Sequence, residues 1–338
     1  MKQLSACGLS VLLCCAAFAA AHAQSGAARP LAPGLTLIRG GFEPGRQPDG
    51  NTLIWSPAGK GGAPGLLVFD TGRHAAHSQA ILDFAARAGV PIRAVVNSHW
   101  HLDHISGNAR LRARYPGLTV YASPAIEGAL RGFLARSRRQ GIEYLASAGN
   151  SAQAEDVRGD VATIDSGAAL LPDVSLFASQ RIELAGHRLQ LGVETFAVTA
   201  GDVWLYDARS GVLAAGDLVT LPAPFFDTAC PVRWQAVLRR LQELPLKTLV
   251  PGHGEPMNSR QFGIYRHAFD ALLACAGSTA GKDECVQGWL RDAGALLRGE
   301  QDRKLAARLL DYYLDGVLRG AKRTSMELCG GEGNPEAG

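Results

Sequence analysis

The stretch His99-Trp100-His101-Leu102-Asp103-His104 places three imidazoles and one carboxylate within six residues. His99, His101 and Asp103 lie two apart, so an extended backbone points all three to one side. His104 breaks that alternation and must reach the same centre from the next turn. Imidazole and carboxylate donors at this density suit zinc or a similar divalent ion. A lone histidine is more often a packed or exposed side chain, but three with an aspartate form a ligand set. The run Ile92-Arg93-Ala94-Val95-Val96 just before the motif reads as a buried strand. The motif therefore lies on a loop that a rigid scaffold can position.

Working outward, short strands joined by turn residues are expected at 35–38, 51–55 and 66–69, the last ending in Asp70-Thr71-Gly72. A helix over 77–88 is stopped by Gly89. Downstream come a short helix at 109–114, a strand at 119–121 and a helix at 125–138; residues from there to 165 give no clear pattern. Strands follow at 180–184, 188–193, 203–207 and 212–215, then a helix over 232–243 and a strand over 246–250 that ends in Pro251-Gly252-His253-Gly254. Beyond residue 260 the chain reads as helical to about 320, with Leu305, Leu309, Leu310, Tyr313, Leu314, Val317 and Leu318 forming one apolar stripe. No repeat of fixed period is present. This order predicts a layered α/β protein with helices outside two sheets.

At this point the sequence resembles the metallo-β-lactamase superfamily, whose hallmark is His-x-His-x-Asp-His after a strand. The resemblance covers roughly residues 35–260 and rests on four segments in the family's order. Asp70-Thr71-Gly72 is similar to the first loop, whose aspartate supports the metal loop from behind. Ala215-Gly216-Asp217 is similar to the segment with the metal-bridging aspartate, and Pro251-Gly252-His253-Gly254 to the loop with the last histidine ligand. The resemblance implies a four-layer αββα sandwich over residues 30–260, with 261–338 a C-terminal helical extension ending in a disordered tail.

One element departs from the family pattern. Members carry a further histidine in a His-Thr-x-Gly-Asp stretch; here the matching stretch is Val198-Thr199-Ala200-Gly201-Asp202, and valine cannot ligate a metal. By the resemblance, the first site keeps His99 and His101 and shares Asp217, whereas the second keeps Asp103, His104, Asp217 and His253. One tightly bound Zn2+ is therefore expected, with a second weak or absent. Asp103 or a bound hydroxide would supply the base.

The 338 residues are 47% hydrophobic and 19% charged, which suits a globular chain and excludes a mainly disordered one. The net charge of +3, from 34 basic and 31 acidic side chains, argues against a nucleic-acid partner. Residues 1–23 form a separate object: Lys2 supplies the positive end, an apolar run extends from Leu9 to Ala21, and Ala21-His22-Ala23 is a small-x-small cleavage site. A signal peptide fits this better than a membrane anchor, because a span needs ~20 apolar residues. Leu4-Ser5-Ala6-Cys7 resembles a lipoprotein box but precedes the apolar run. Residues 24–34 give little reason for order. The mature chain is expected in the periplasm or outside the cell, with no membrane partner.

Removing residues 1–23 leaves Cys230, Cys275, Cys285 and Cys329. An even count in an oxidising compartment predicts two disulfides, with three connectivities open. A local Cys275–Cys285 staple with a Cys230–Cys329 tie is the favoured one. Among the other candidates, His74 and His77 are expected to cap a helix or face solvent, His187 to sit on a surface turn, and His267 to be packed or exposed. Glu194 is a weak candidate for an extra oxygen ligand. Pro222, Phe225 and Phe226 either line a substrate pocket or are buried loop residues.

The leading expectation is an exported zinc hydrolase that uses a metal-activated water on an ester, thioester, lactone or lactam carbonyl of a small molecule. The alternative is a catalytically weak zinc-binding accessory protein of the same fold, which Val198 favours. Near-neutral charge disfavours phosphodiester or nucleic-acid substrates, and the damaged first site without a flavin domain disfavours redox chemistry. The oligomeric state stays open.

Overall fold

Alternation of apolar side chains along short strands builds two sheets that share one inner core. The computed structural model describes residues 27–43, 45–57, 65–320 and 329. The expected signal peptide and nearly all of the expected tail lie outside the described residues. The first sheet runs in sequence order through β1 (Ala28–Ala32), β2 (Leu35–Ile38), β3 (Thr52–Trp55), β4 (Leu66–Phe69), β5 (Ile92–Val96), β6 (Thr119–Ala122) and β7 (Val174–Ser175). Pairing is antiparallel through β4 and parallel from β4 to β7. The second sheet has the order β12-β11-β10-β9-β8, comprising β8 (Gln180–Leu184), β9 (His187–Glu194), β10 (Asp202–Asp207), β11 (Val212–Thr220) and β12 (Thr248–His253). Only β11 and β12 pair in parallel there.

Leu35, Leu37, Leu53, Trp55, Leu67 and Phe69 face Leu189, Leu191, Val203 and Leu205 across the sheets. The intervening Ile38, Ile54, Leu66 and Val68 point outward, against α1 (Ala75–Ala88) and α3 (Asn108–Arg114). A strand buried on both faces reads as continuously apolar, as β4 and β12's Leu249-Val250 do. On the far face of the second sheet, Trp204, Leu213 and Leu249 join one apolar cluster with α7 (Pro231–Gln242), α8 (Ser259–Ala276), α9 (Lys282–Asp292) and α10 (Gly299–Tyr313). The chain is thus a four-layer αββα sandwich with added C-terminal helices.

Between β5 and β7 lie α2 (Leu102–Ile105), α3, α4 (Ala125–Arg131), α5 (Phe133–Ser147) and α6 (Ala152–Asp165). Two expectations change here. The helix expected over 125–138 is broken at Gly132, whose φ of −105° and ψ of −96° are not helical, and residues up to 165 hold two further helices. Residues 28–32, expected to lack order, form β1 because their backbone pairs with β2.

The disulfides are Cys230–Cys329 and Cys275–Cys285. Both lie on the second-sheet side: one staples α8 to α9, and the other ties residue 329 to the start of α7. No helix among the described residues is long and apolar enough to cross a membrane.

Candidate metal centre

Four strand ends bring the motif residues together. β4 ends at Asp70 and β5 at the loop with His99; in the other sheet β11 carries Asp217 and β12 ends at His253. Two glycines allow the close approach of β11 to its neighbours. A Cβ on Gly252 would lie 1.9 Å from Asp217 Oδ1, and Gly216, at φ 54°, would put one 2.4 Å from Ser98 Cβ. These are the motif glycines Gly216 and Gly252.

Two groups of donor atoms result, each compact enough to hold one ion: His99, His101 and Asp217; and Asp103, His104 and His253. Asp217 lies between them. Its Oδ2 is 3.7 Å from His99 Nε2, while its Oδ1 is 3.2 Å from His104 Nε2 and 3.6 Å from His253 Nε2. His253 Nε2 also lies 3.0 Å from Asp103 Oδ2. Both Asp217 oxygens and the Nε2 atoms of His99, His104 and His253 are buried with no hydrogen-bond partner. Buried polar atoms are ordinarily paired, so this concentration of unpaired donors fits a divalent cation.

The opposite ring atoms are held. Asp70 Oδ1 accepts from the Ser98 amide at 2.7 Å, and its Oδ2 accepts from Ser98 Oγ at 2.7 Å and from His104 Nδ1 at 2.9 Å. Because Ser98 Oγ gives its hydrogen to Asp70, it accepts from His99 Nδ1 at 2.9 Å. Thr228 Oγ1 gives its hydrogen to the Val198 carbonyl at 2.9 Å and so accepts from His101 Nε2 at 3.1 Å. Each bond fixes a tautomer and leaves Nε2 of His99 and His104, and Nδ1 of His101, as lone-pair donors. Asp70 does this from a strained backbone, φ 61°, which an aspartate tolerates better than most residues.

Burial works against every charge here. It pushes His99 well below the ordinary histidine range, with the His104 and His101 charges adding to the effect. At His104 burial is outweighed by the carboxylates of Asp217, Asp103 and Asp70, which raise the ring well above that range. They favour positive charge at Nε2, a place a cation would take from the proton. At Asp103 burial is outweighed by His104, His253 and Arg73, and at Asp217 by His104, His253 and His99, so both carboxyls lie below the usual range. The two carboxylates are thus ionised and ready for a cation.

A family profile described as the metallo-beta-lactamase superfamily matches residues 61–253. The chain belongs to the metallo-beta-lactamase superfamily. A linear primary-alkylsulfatase of Pseudomonas sp. (strain ATCC 19151) is 25% identical over 224 residues, which are 58% of this chain and 41% of that protein. A hydroxyacylglutathione hydrolase of Synechococcus sp. (strain JA-3-3Ab) is 42% identical over 55 residues, 16% of this chain and 22% of that enzyme. The chain thus matches less than half the length of these curated relatives. Among solved structures, the stereoselective inverting sec-alkylsulfatase of Pseudomonas sp. superposes with a TM-score of 0.54 at 20% identity, over 88% of this chain and 51% of that one. A superfamily lactamase from Hirschia baltica gives 0.50 at 18% identity, over 71% and 96%. At such identities the likeness shows the fold alone.

Relative to other superfamily chains, the position of interest is Val198. It is fully buried in the apolar cluster of the second sheet, and its amide donates to Asp202 Oδ2 at 2.9 Å. Glu194 is turned away from the centre, accepting from Trp204 Nε1 at 3.1 Å and pairing with Arg240. The expected solvent or capping role of His77 gives way to burial, with Nε2 2.8 Å from Thr52 Oγ1. His74 occupies the N-cap of α1 without a capping bond and instead bridges Asp49, at 2.7 Å, and Asp156, at 3.1 Å. His187 is also buried, bonded to the Ser56 carbonyl at 2.8 Å, because its hairpin packs on the other sheet. His267 is exposed. Phe225 borders the cleft at the centre, with its ring 5.4 Å from His253, while Phe226 is fully buried.

Sequence reasoning did not find Arg73, whose Nη2 lies 3.6 Å from Asp103 Oδ1 while Nη1 holds both oxygens of Asp160 at 2.6 Å. Its place directly after Asp70-Thr71-Gly72 was the available signal. Thr228, 127 residues from His101, offered none.

Proposed function

We propose that this protein is a metal-dependent hydrolase that activates a water for attack on an ester, thioester, lactone or lactam carbonyl of a small molecule. The observation that carries this reading is Asp217, whose two buried, unpaired oxygens face the two halves of one donor set. The relatives' names, a hydrolase and an alkylsulfatase, both describe hydrolytic enzymes. Zinc is the proposed ion, held tightly by Asp103, His104, Asp217 and His253 and more weakly by His99 and His101 with Asp217, because Val198 brings no imidazole.

Bound there, zinc would supply a water acidified towards neutral pH and a polarised carbonyl. Asp103 is the proposed proton acceptor: its carboxylate stays ionised and is fixed by Arg73 and His253. The oxygen of water joins the carbonyl carbon, the bond to the leaving atom breaks, and the proton ends on that atom. Asp70, Ser98 and Thr228 keep the imidazoles oriented throughout.

In this reading residues 1–23 direct export, the two disulfides suit an oxidising compartment, residues 30–260 carry the superfamily fold, and the later helices add a wall to it. A chelator-sensitive hydrolysis screen over lactams, thioesters, lactones and esters, run beside metal analysis, tests the proposal. Activity lost with EDTA and restored by zinc is the expected result. Two tightly held zinc ions per chain would overturn the single-site assignment. Silence across the panel with zinc bound would favour the accessory role that Val198 suggests.

A further inference from the structure

We infer that the substrate carries a long uncharged hydrocarbon chain, and that α5, α6 and α10 form the channel that receives it. This deepens the hydrolase reading and rests on it for the reaction, though not for the binding. The centre opens into a cleft of about 630 Å³ with His101, Asp103 and Asp217 at its floor. That volume accommodates a medium-sized organic molecule. One wall is Phe133, Leu134, Val157, Val161 and Ile164 from α5 and α6; the other is Leu305, Leu309 and Tyr313 from α10. Trp100, Phe42 and Phe225 complete the floor and rim.

The charges that reach this cleft are mostly acidic: Asp103, Asp160, Asp217 and Asp227 outnumber Arg73. Arg73 holds both oxygens of Asp160 and faces Asp103; Asp227 Oδ2 accepts from Tyr313 Oη at 2.6 Å. An anionic substrate group would meet these carboxylates and a guanidinium already held by Asp160. A methylene chain can instead lie along the apolar side chains of α5, α6 and α10. Tyr144 of α5, 38% exposed, also lines the cleft. Within the 15 positions of α5 only Leu134 is buried, and Phe133 packs partly on the same apolar cluster, so much of the helix's apolar surface is not consumed by the core.

The test uses the zinc-loaded protein and p-nitrophenyl esters from acetate to decanoate. Burying one methylene is worth about a fourfold change in equilibrium, so kcat/KM should climb by roughly that factor per added methylene until the channel is filled. Leu309→Glu and Val161→Glu should each flatten this climb, with melting temperature recorded to confirm folding. Independently of turnover, 1-hexanol, 1-octanol and 1-decanol are titrated calorimetrically into the protein in EDTA; Kd should fall with chain length in the same proportion. A flat ester profile with chelator-sensitive hydrolysis intact overturns the channel and leaves the hydrolase. Tightening of alcohols without any hydrolysis keeps the channel and overturns the hydrolase.

Discussion

Asp70 accepts the Nδ1 hydrogen of His104 at 2.9 Å while its own backbone sits at a φ of 61°. The same Oδ2 receives Ser98 Oγ, and through Ser98 it also orients His99. One carboxylate behind the centre therefore sets the donor atom of a histidine in each group.

Asp70→Asn is accordingly expected to weaken both groups. The amide keeps the volume but cannot accept from Ser98 and His104 on equal terms, and loss of such an outer partner commonly costs 10–100-fold in metal affinity. Competition against a fluorescent zinc chelator measures this. Unchanged affinity would refute the assigned tautomers.

Thr228→Val separates the groups. It removes the acceptor at His101 Nε2 and leaves the Val198 carbonyl without its hydroxyl partner. Zinc at His99, His101 and Asp217 should weaken about tenfold, while the tight site involving Asp103, His104 and His253 holds. Metal content after graded dialysis distinguishes this from an equal loss at both.

Val198→His restores an imidazole where the superfamily pattern has one. The expected outcome is a second retained zinc ion per chain, seen by elemental analysis. Overpacking a fully buried site costs roughly 1–3 kcal/mol, so a lower melting temperature should accompany the gain. A stable variant with unchanged metal content would mean that residue 198 does not face the first group.

The Asp49–His74–Asp156 bridge makes a prediction about pH. The Asp49 hydrogen bond, against opposing burial, raises His74 above its usual value. Its contribution to stability is then complete below about pH 6.5, the unfolded value, and disappears as pH rises through the higher folded value. For Asp49, burial pushes upward, but the His74 bond and the His77 and His74 charges prevail and bring it down to about 2. Its contribution is present above about pH 4 and is lost as pH falls toward 2. Melting temperature should therefore decline above pH 6.5 in the wild type, and His74→Gln should remove that decline. A parallel profile in the variant would show that other groups dominate.

The metal loop was legible because its ligands are local: His99 to His104 sit within one turn of chain, and Asp217 and His253 are flagged by glycines whose close approach the structure explains. The sheets were legible from period-two alternation at residues such as Leu53, Ile54 and Trp55. What stayed hidden depended on long-range contacts. Nothing local tells that Thr228 meets His101, or that His187 leaves its turn for Ser56. The break at Gly132 was obscured because residues 125–138 are apolar enough for one helix, whereas in the fold Ile126 and Leu134 pack with Trp100 of the metal loop from two separate helices.

The Cys230–Cys329 bond carries a consequence for how the protein matures. The Cys230 amide donates to the Ala197 carbonyl at 2.8 Å, beside the bond from Thr228 to Val198, and the disulfide locks residue 329 against that same corner. The clamp behind His101 is thus sealed by oxidation. A chain that has not yet formed this bond should load the His99–His101–Asp217 group last, making sulfur chemistry a checkpoint on metallation. Thiol trapping beside metal uptake during refolding reports the order of the two events.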